Sequence, residues 1–254
     1  MGWAVEIEDP SPLTTLVLGA LCVGIAATIG GTTGFGSALI AMPLMLLVGF
    51  TLPEVVVVNL ATGVLSRLAV AYRLRDRIDW RRVALLGFGS LPGAWLGAET
   101  VNLLPAHYLK AVAGAVVMLS GIYLAIPAGG RQWTPSSAAQ AATGAVGSYL
   151  STTTSLGGPP PVLLLSRARI PPLSFLADLA GYFIVTNTMS LGILQVRDEI
   201  PHAVLWPMLP VFVAAAVVGN VVGLRIAGLL PTKVFRAAVI ALVIAAGALT
   251  IASS

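Results

Sequence analysis

Long apolar runs recur along the whole chain, separated by short turns that hold proline, glycine or charged residues. The clearest runs cover residues 83–103, 109–126, 206–227 and 234–252. A helix needs about 20 apolar residues to cross the hydrocarbon core of a bilayer, and each of these runs is close to that length. The pattern predicts an all-α fold, a polytopic bundle of transmembrane helices.

Two further stretches are interrupted by small polar residues. Residues 13–49 number 37, too many for one crossing, and are broken within residues 28–37, which we call the first tip. Residues 136–166 are broken within residues 151–161, the second tip. We interpret each stretch as a broken or re-entrant helix hairpin with an unwound tip. The remaining runs are predicted single spans: 53–72, 83–102 and 107–126 in the first half, and 173–195, 203–227 and 232–252 in the second.

The two halves repeat one another. A shift of 126 residues superposes Gly93 on Gly219 and Gly97 on Gly223, and farther upstream the best shift falls to about 121. An internal repeat of about half the chain is typical of secondary transporters. We therefore divide the chain into a first repeat (1–127), a linker (128–135) and a second repeat (136–254).

The charged residues predict the orientation. Arginines cluster around residues 73–82, whereas acids occupy residues 6–9, 54 and 198–199. Short basic loops stay in the cytoplasm. The basic loops fall on one side of the membrane and the acidic loops on the other only if each hairpin enters the membrane and returns to the same side. This arrangement makes the two repeats inverted. We expect a multi-pass protein of the cell (inner) membrane with both termini outside the cytoplasm.

Composition excludes a soluble domain. Hydrophobic residues make up 57% of the chain and charged residues only 9%, against about 25% charged in a typical soluble domain. The net charge of +4 comes from short loops, so we expect the lipid bilayer, and not nucleic acid, as the partner of the basic residues. The protein could also form a homo-oligomer. With one cysteine and no catalytic or phosphate-binding motif, we expect no metal, no cofactor and no enzyme activity.

The two tips are the candidate binding site. A helix that restarts after each tip directs free N–H groups and a positive dipole end toward the middle of the membrane, which favours an anion. Hydroxyl groups could complete the shell of an oxyanion. The alternative is that small residues only let helices pack closely. The hydroxyl residues predicted to bind substrate are Thr32, Thr33, Ser37, Thr153, Thr154 and Ser155.

Polar residues inside the spans extend this site. Asn59, Ser66 and Arg67 lie on one span, and Asn187 occupies the corresponding region of the second half. Arg67 could draw anions to the site, or its side chain could reach the cytoplasmic headgroups. Asp178 could accept protons for coupling, or it could be an interfacial acid favoured by the helix dipole.

The breaks also resemble a known family. Gly34-Phe35-Gly36-Ser37, followed by Met42-Pro43 and repeated as Leu156-Gly157-Gly158-Pro159-Pro160, resembles the TauE/SafE sulfite-exporter family, as does Ile78-Asp79-Trp80. The resemblance covers nearly the whole chain. It implies an inverted-repeat permease for sulfite, thiosulfate, sulfoacetate or another small sulfur-containing anion. The backbone contacts that it implies are Gly34, Gly36, Ser37, Gly157 and Gly158. Ser37-Ala38 stands where the family usually has glycine, which leaves the substrate open.

We therefore expect a secondary transporter that works by alternating access around a midplane anion site. The first alternative is a passive anion channel, which would conduct without saturation. The second is a membrane enzyme or assembly factor, which the scarcity of acid and base residues in the spans disfavours. Trp95, a tryptophan far from the predicted span boundaries, is expected to line the interior.

Overall fold

The chain folds into a bundle of helices in the computed structural model, which describes residues 12–33, 36–125, 134–168 and 170–227 and four single residues, Ala241, Ile244, Ala245 and Ala248. Every regular element in these ranges is helical, which confirms the all-α prediction. The α-helices are α1 (Pro12–Thr33), α2 (Ser37–Val48), α3 (Leu52–Arg73), α4 (Trp80–Leu103), α5 (Ala106–Ala125), α6 (Ser137–Thr154), α7 (Pro159–Arg167), α8 (Pro172–Val196) and α9 (Leu209–Ala227).

Four of the described helical segments are long and apolar enough to cross a membrane. The prediction of a multi-pass membrane protein is confirmed at this level. The segments are Leu13–Thr32, Leu52–Arg73, Leu173–Val196 and Val204–Gly223.

Side chains at the helix starts explain why the elements begin where they do. Thr51 and Glu54 form a capping box at the start of α3, with the Thr51 N–H donating to the Glu54 carboxylate over 2.8 Å. Asp79 caps α4 by accepting the Arg82 N–H at 3.1 Å, and Ser136 caps α6. These caps set helix bounds within a few residues of the predicted spans.

The helix breaks differ in detail from the prediction. α1 continues through Gly30 and Gly31 to Thr33, so the first interruption begins later than the glycine pair. The second interruption follows Thr154 and ends where α7 begins at Pro159. The predicted span 203–227 is not continuous, because the backbone leaves helical geometry at Trp206 (φ −146°, ψ 131°). Most of the predicted span 232–252 and most of the linker 128–135 lie outside the described residues.

α3 and α8 pack against each other in opposite directions at the centre of the bundle. Asn187 donates a long hydrogen bond of 3.5 Å to the Leu60 carbonyl, and Arg67, farther along α3, stacks on Phe183, earlier in α8. We call the end of the bundle that carries the turn between α3 and α4 the arginine-rich face, and the other end the opposite face.

Ion pairs fix α4 to α8 at both ends. At the arginine-rich face the Arg82 guanidinium pairs with Asp178, which also accepts the Asp79 N–H at 2.8 Å. At the opposite face Arg197 donates to Glu99 over 2.6 Å. The two helices therefore run side by side in the same direction.

Two glycine seams bring other helices together. In the seam between α4 and α6, a Cβ added at Gly93 would lie 2.8 Å from the Ala145 Cα. In the seam between α1 and α9, a Cβ added at Gly219 would lie 3.1 Å from the Gly24 carbonyl carbon. Both distances are shorter than an ordinary van der Waals contact, so each seam requires glycine, which has no side chain, at this position.

Candidate anion site

Both tips meet around one small cavity in the middle of the bundle, which we call the central cavity. Its volume is about 30 Å³. Helices α2, α3 and α8 and the second tip line it. Six residues that the sequence predicts for the site line this cavity: Ser37, Asn59, Arg67, Ser155, Gly158 and Asn187.

Arg67 is the charged group of the central cavity. The residue is 9% exposed, and its guanidinium carbon lies 4.9 Å from the centre of the Phe183 ring. Within the described part of the chain, no carboxylate lies within ion-pair distance of this guanidinium. A charge inside a membrane bundle costs a few kcal/mol unless it is paired. A cation–π contact offsets about 2 kcal/mol of that when the pair is desolvated. The burial of Arg67 between helices favours the anion-drawing interpretation over a side chain that reaches the headgroups.

Asn59 and Ser155 join α3 to the second tip. The Asn59 amide donates to the Ser155 hydroxyl oxygen over 2.9 Å. Because Ser155 accepts this bond, its own hydroxyl proton remains to be donated. Ser155 adopts left-handed backbone geometry (φ 60°), which is strained for a residue with a side chain. Such strain is common at binding sites, and here it sets the second tip against the central cavity.

The two helix starts at the tips offer different donors. α2 begins after Gly36, so its first N–H groups and the positive end of its dipole lie at the first tip. α7 begins with Pro159, Pro160 and Pro161, which have no N–H at all. The start of α7 therefore contributes only its dipole, and the second tip adds the backbone of Gly157 and Gly158 and the Ser155 hydroxyl.

Three of the predicted hydroxyl donors turn to their own helices. Thr32 donates to the Ile29 carbonyl over 2.6 Å, and Thr153 and Thr154 donate to carbonyls one turn earlier in α6, each over 2.9 Å. These bonds use the hydroxyl protons that the prediction assigned to an anion. Gly34 and the side chain of Thr33 lie outside the described residues.

Two larger cavities lie on either side of this centre. The inner cavity, on the arginine-rich side, has a volume of about 110 Å³ and is lined by Thr32, Ser66 and Arg67 among others. The outer cavity, at the opposite face, has a volume of about 360 Å³ and is lined by Thr153 and Glu199 among others. The predicted site residues are thus divided among three cavities instead of sharing one.

Asp178 lies apart from these cavities. Its side chain is fully buried, pairs with Arg82 and accepts the Asp79 N–H. That N–H belongs to the start of α4, so the dipole that favours the Asp178 carboxylate is that of α4 and not of its own helix. Its role in proton coupling stays a prediction.

Sequence reasoning missed two residues of the site and misplaced one. Phe183 stacks on Arg67, and Asn220 lines the inner cavity. An amide within the apolar run 206–227 was a signal that could have identified Asn220. The expectation that Trp95 lines the interior is wrong: the residue is 50% exposed on the outside of the bundle, where Arg197 lies over its ring.

Comparison with known proteins identifies the family of this chain. The model of the family described as "Sulfite exporter TauE/SafE" matches residues 18–250. The chain is 29% identical over 178 residues to the probable sulfite/organosulfonate exporter TauE of Cupriavidus necator, covering 66% of this chain and 69% of that protein. No solved structure matches the chain. The chain belongs to the TauE/SafE sulfite exporter family, whose members are membrane transporters and not enzymes.

Proposed function

We propose that this chain is a secondary transporter for a small sulfur-containing anion such as sulfite, thiosulfate or a sulfoacetate-like organosulfonate. The observation that carries the proposal is Arg67, a buried cation without a carboxylate partner among the described residues, at the cavity where the two tips meet. The relative from Cupriavidus necator bears the name of a sulfite/organosulfonate exporter, which supports this substrate class.

The chemistry of the central cavity suits a sulfur oxyanion. A guanidinium presents paired N–H donors that match two oxygens of one anion, and such charge-assisted bonds are about twice as strong as neutral ones. Ser155 and Asn187 add neutral donors around Arg67. The start of α2 at Ser37 adds the positive end of a helix dipole.

The arrangement of the cavities supports alternating access. The central cavity is the smallest of the three on the path, about 30 Å³ against about 110 and about 360 Å³, so it is the constriction in this conformation. Wider cavities approach it from both faces. The inner cavity is lined by Gly31 and Thr32, and the outer cavity by Thr152 and Thr153, pairs that are 121 residues apart and thus related by the repeat.

The helix contacts support two inverted repeats. α3 and α8, which the repeat relates, run antiparallel. The glycine seams are related in the same way, since Gly93 against Ala145 corresponds to Gly219 against Gly24. Each seam joins the hairpin of one repeat to the fourth helix of the other. We infer that the moving bodies are α1–α2 with α9 and α6–α7 with α4, and that each mixes both repeats.

Orientation and coupling complete the proposal. The arginine-rich face would lie in the cytoplasm of a cell (inner) membrane protein, because short loops rich in arginine stay there. Both termini would then be outside the cytoplasm. Asp178 remains the acid to test for protons, although its pairing with Arg82 gives it a structural role as well.

The test is anion counterflow in proteoliposomes with sulfite, thiosulfate, sulfoacetate, sulfate and chloride. We expect saturable exchange of at least one sulfur oxyanion, lost in Arg67→Gln and kept in Arg81→Gln. Arg81 is an exposed arginine in the first turn of α4, so it controls for loss of charge. An unsaturable leak of all five anions would replace the transporter with a channel. No flux of any of them in folded protein would overturn the proposal.

A further inference from the structure

The inner cavity contains what a second anion position needs. We propose that it binds a small oxyanion separately from the central cavity, and that Asn220 of α9 determines what it accepts. The inference rests on the proposed function, because it adds a step to the same path. The residues that carry it are Arg67, Asn220 and Ser66.

The volume of the inner cavity is sufficient for an anion. At about 110 Å³ it is more than three times the size of the central cavity. A cavity needs roughly 10–15 Å³ to hold one water molecule, so the inner cavity has room for a group larger than water. In this conformation it offers more room to a sulfite-sized group than the central cavity does.

Arg67 lies in the wall between the two cavities and lines both. Among the described residues that line the inner cavity, it is the sole ionisable side chain. The residue is nine-tenths buried, and no carboxylate of the described ranges pairs with it. One guanidinium can bind an anion on either side but cannot fully neutralise two at once. The two positions are therefore alternatives, and Arg67 passes the anion between them.

Asn220 is held in place by the seam between α1 and α9. A Cβ added at Gly31 would lie 2.7 Å from the Asn220 carbonyl oxygen and 3.0 Å from its side-chain oxygen. With that side-chain oxygen against α1, the amide N–H₂ group is the part that can donate to the cavity. Thr32 donates its hydroxyl proton to Ile29, so it contributes little as a donor. Asn220, Ser66 and Ser37 thus supply the neutral side-chain donors beside Arg67.

Asn220 is therefore expected to act on entry from one face. The inner cavity lies on the arginine-rich side of Arg67, toward Val70 and Leu176. An anion that enters from the opposite face reaches the central cavity first. Loss of the Asn220 donor should weaken binding from the arginine-rich face and leave binding from the opposite face nearly unchanged.

The experiment is counterflow in sided membrane vesicles with the sulfur oxyanion that wild-type protein exchanges. We expect Asn220→Ala to raise the half-saturating concentration about 10-fold at the arginine-rich face, the effect of one hydrogen bond to a charged group. The change at the opposite face should be less than twofold. Asn59→Ala, in the central cavity, should raise it at both faces and serves as the matched control.

A second variant protects the test against misfolding. Asn220→Asp places a carboxylate beside Arg67, so we expect an unchanged or higher melting temperature together with lost entry from the arginine-rich face. If both Asn220 variants are folded and leave half-saturation unchanged at both faces while Asn59→Ala does not, the second position is overturned and the proposed function stands. If wild-type protein shows no saturable exchange, the proposed function itself fails.

Discussion

The glycine seam between α4 and α6 gives a stability prediction that can be worked out from the geometry. In Gly93→Ala the new Cβ would lie 2.8 Å from the Ala145 Cα, and the Ala145 carbonyl oxygen is closer still. Ordinary van der Waals contact begins near 3.4 Å. α4 must therefore move away from α6 by at least the difference between these distances. The same seam also depends on the close approaches at Gly89 and Gly144.

The expected destabilisation follows from that displacement. A gap of 0.5–1 Å forfeits roughly a quarter to a half of the dispersion energy of each contact along the seam. Overpacking of this kind typically costs about 1–3 kcal/mol. Alanine is the better helix former by about 1 kcal/mol, which offsets part of the loss. We expect Gly93→Ala to destabilise the protein by about 1–2 kcal/mol.

The matched control is Gly192→Ala in α8. No atom of the described residues lies within 4 Å of a Cβ added at Gly192, and the residue is exposed, so alanine brings its helix preference without a clash there. Thermal unfolding in one detergent should place Gly93→Ala below wild type and Gly192→Ala level with it or above. If the two variants melt together, the seam is not a close contact and the packing described for α4 and α6 is wrong.

Three other variants test the charged groups. Arg67→Met should keep or raise the melting temperature while abolishing counterflow, since it removes an unpaired buried charge; a large drop in melting temperature with normal counterflow would refute a binding role. Asp178→Asn should destabilise by about 2–3 kcal/mol in chemical unfolding, because Arg82 loses its buried partner; unchanged stability would contradict this. Hydrogen bonds to Glu199 and Glu99 raise the pKa of Arg197. The charged Arg197 therefore stabilises the folded protein until the pH rises above this raised pKa. The difference in melting temperature between wild type and Arg197→Gln should therefore stay constant from about pH 7 to about pH 10, and its disappearance within that window would refute the assignment.

Much of the fold could be predicted because each span is delimited by local chemistry. Apolar length gave α3, α4, α5 and α8 to within a few residues, and Thr51, Asp79 and Ser136 mark starts that sequence alone can identify. The kink at Trp206 was not predicted, although Pro207, which removes a backbone N–H from this run, was a signal for it.

The sequence indicated which polar residues lie inside the bundle but not how they are arranged. Polar residues in apolar spans identified Asn59, Arg67 and Asn187, which do line one cavity. Sequence cannot tell whether a hydroxyl donates to a ligand or to the carbonyl one turn back, and Thr32 and Thr153 do the latter. The partner of a buried charge is also a matter of tertiary contact, which is why the Arg82–Asp178 pair was not foreseen.

The distribution of charge over the described residues explains why the middle of this bundle should select anions. The described acids lie near the two faces, and most of them are already engaged by helix starts or by arginines, as Asp178 is by Arg82 and Glu99 is by Arg197. The centre keeps one positive charge, Arg67, with an aromatic ring in place of a counter-ion. A cation entering the centre would meet repulsion there without a carboxylate to offset it, whereas an anion would supply the missing partner. On the proposed function, a bound anion would recover the energy that the fold gives up by burying Arg67 without a carboxylate partner among the described residues, so the same residue would both destabilise the empty site and make it selective.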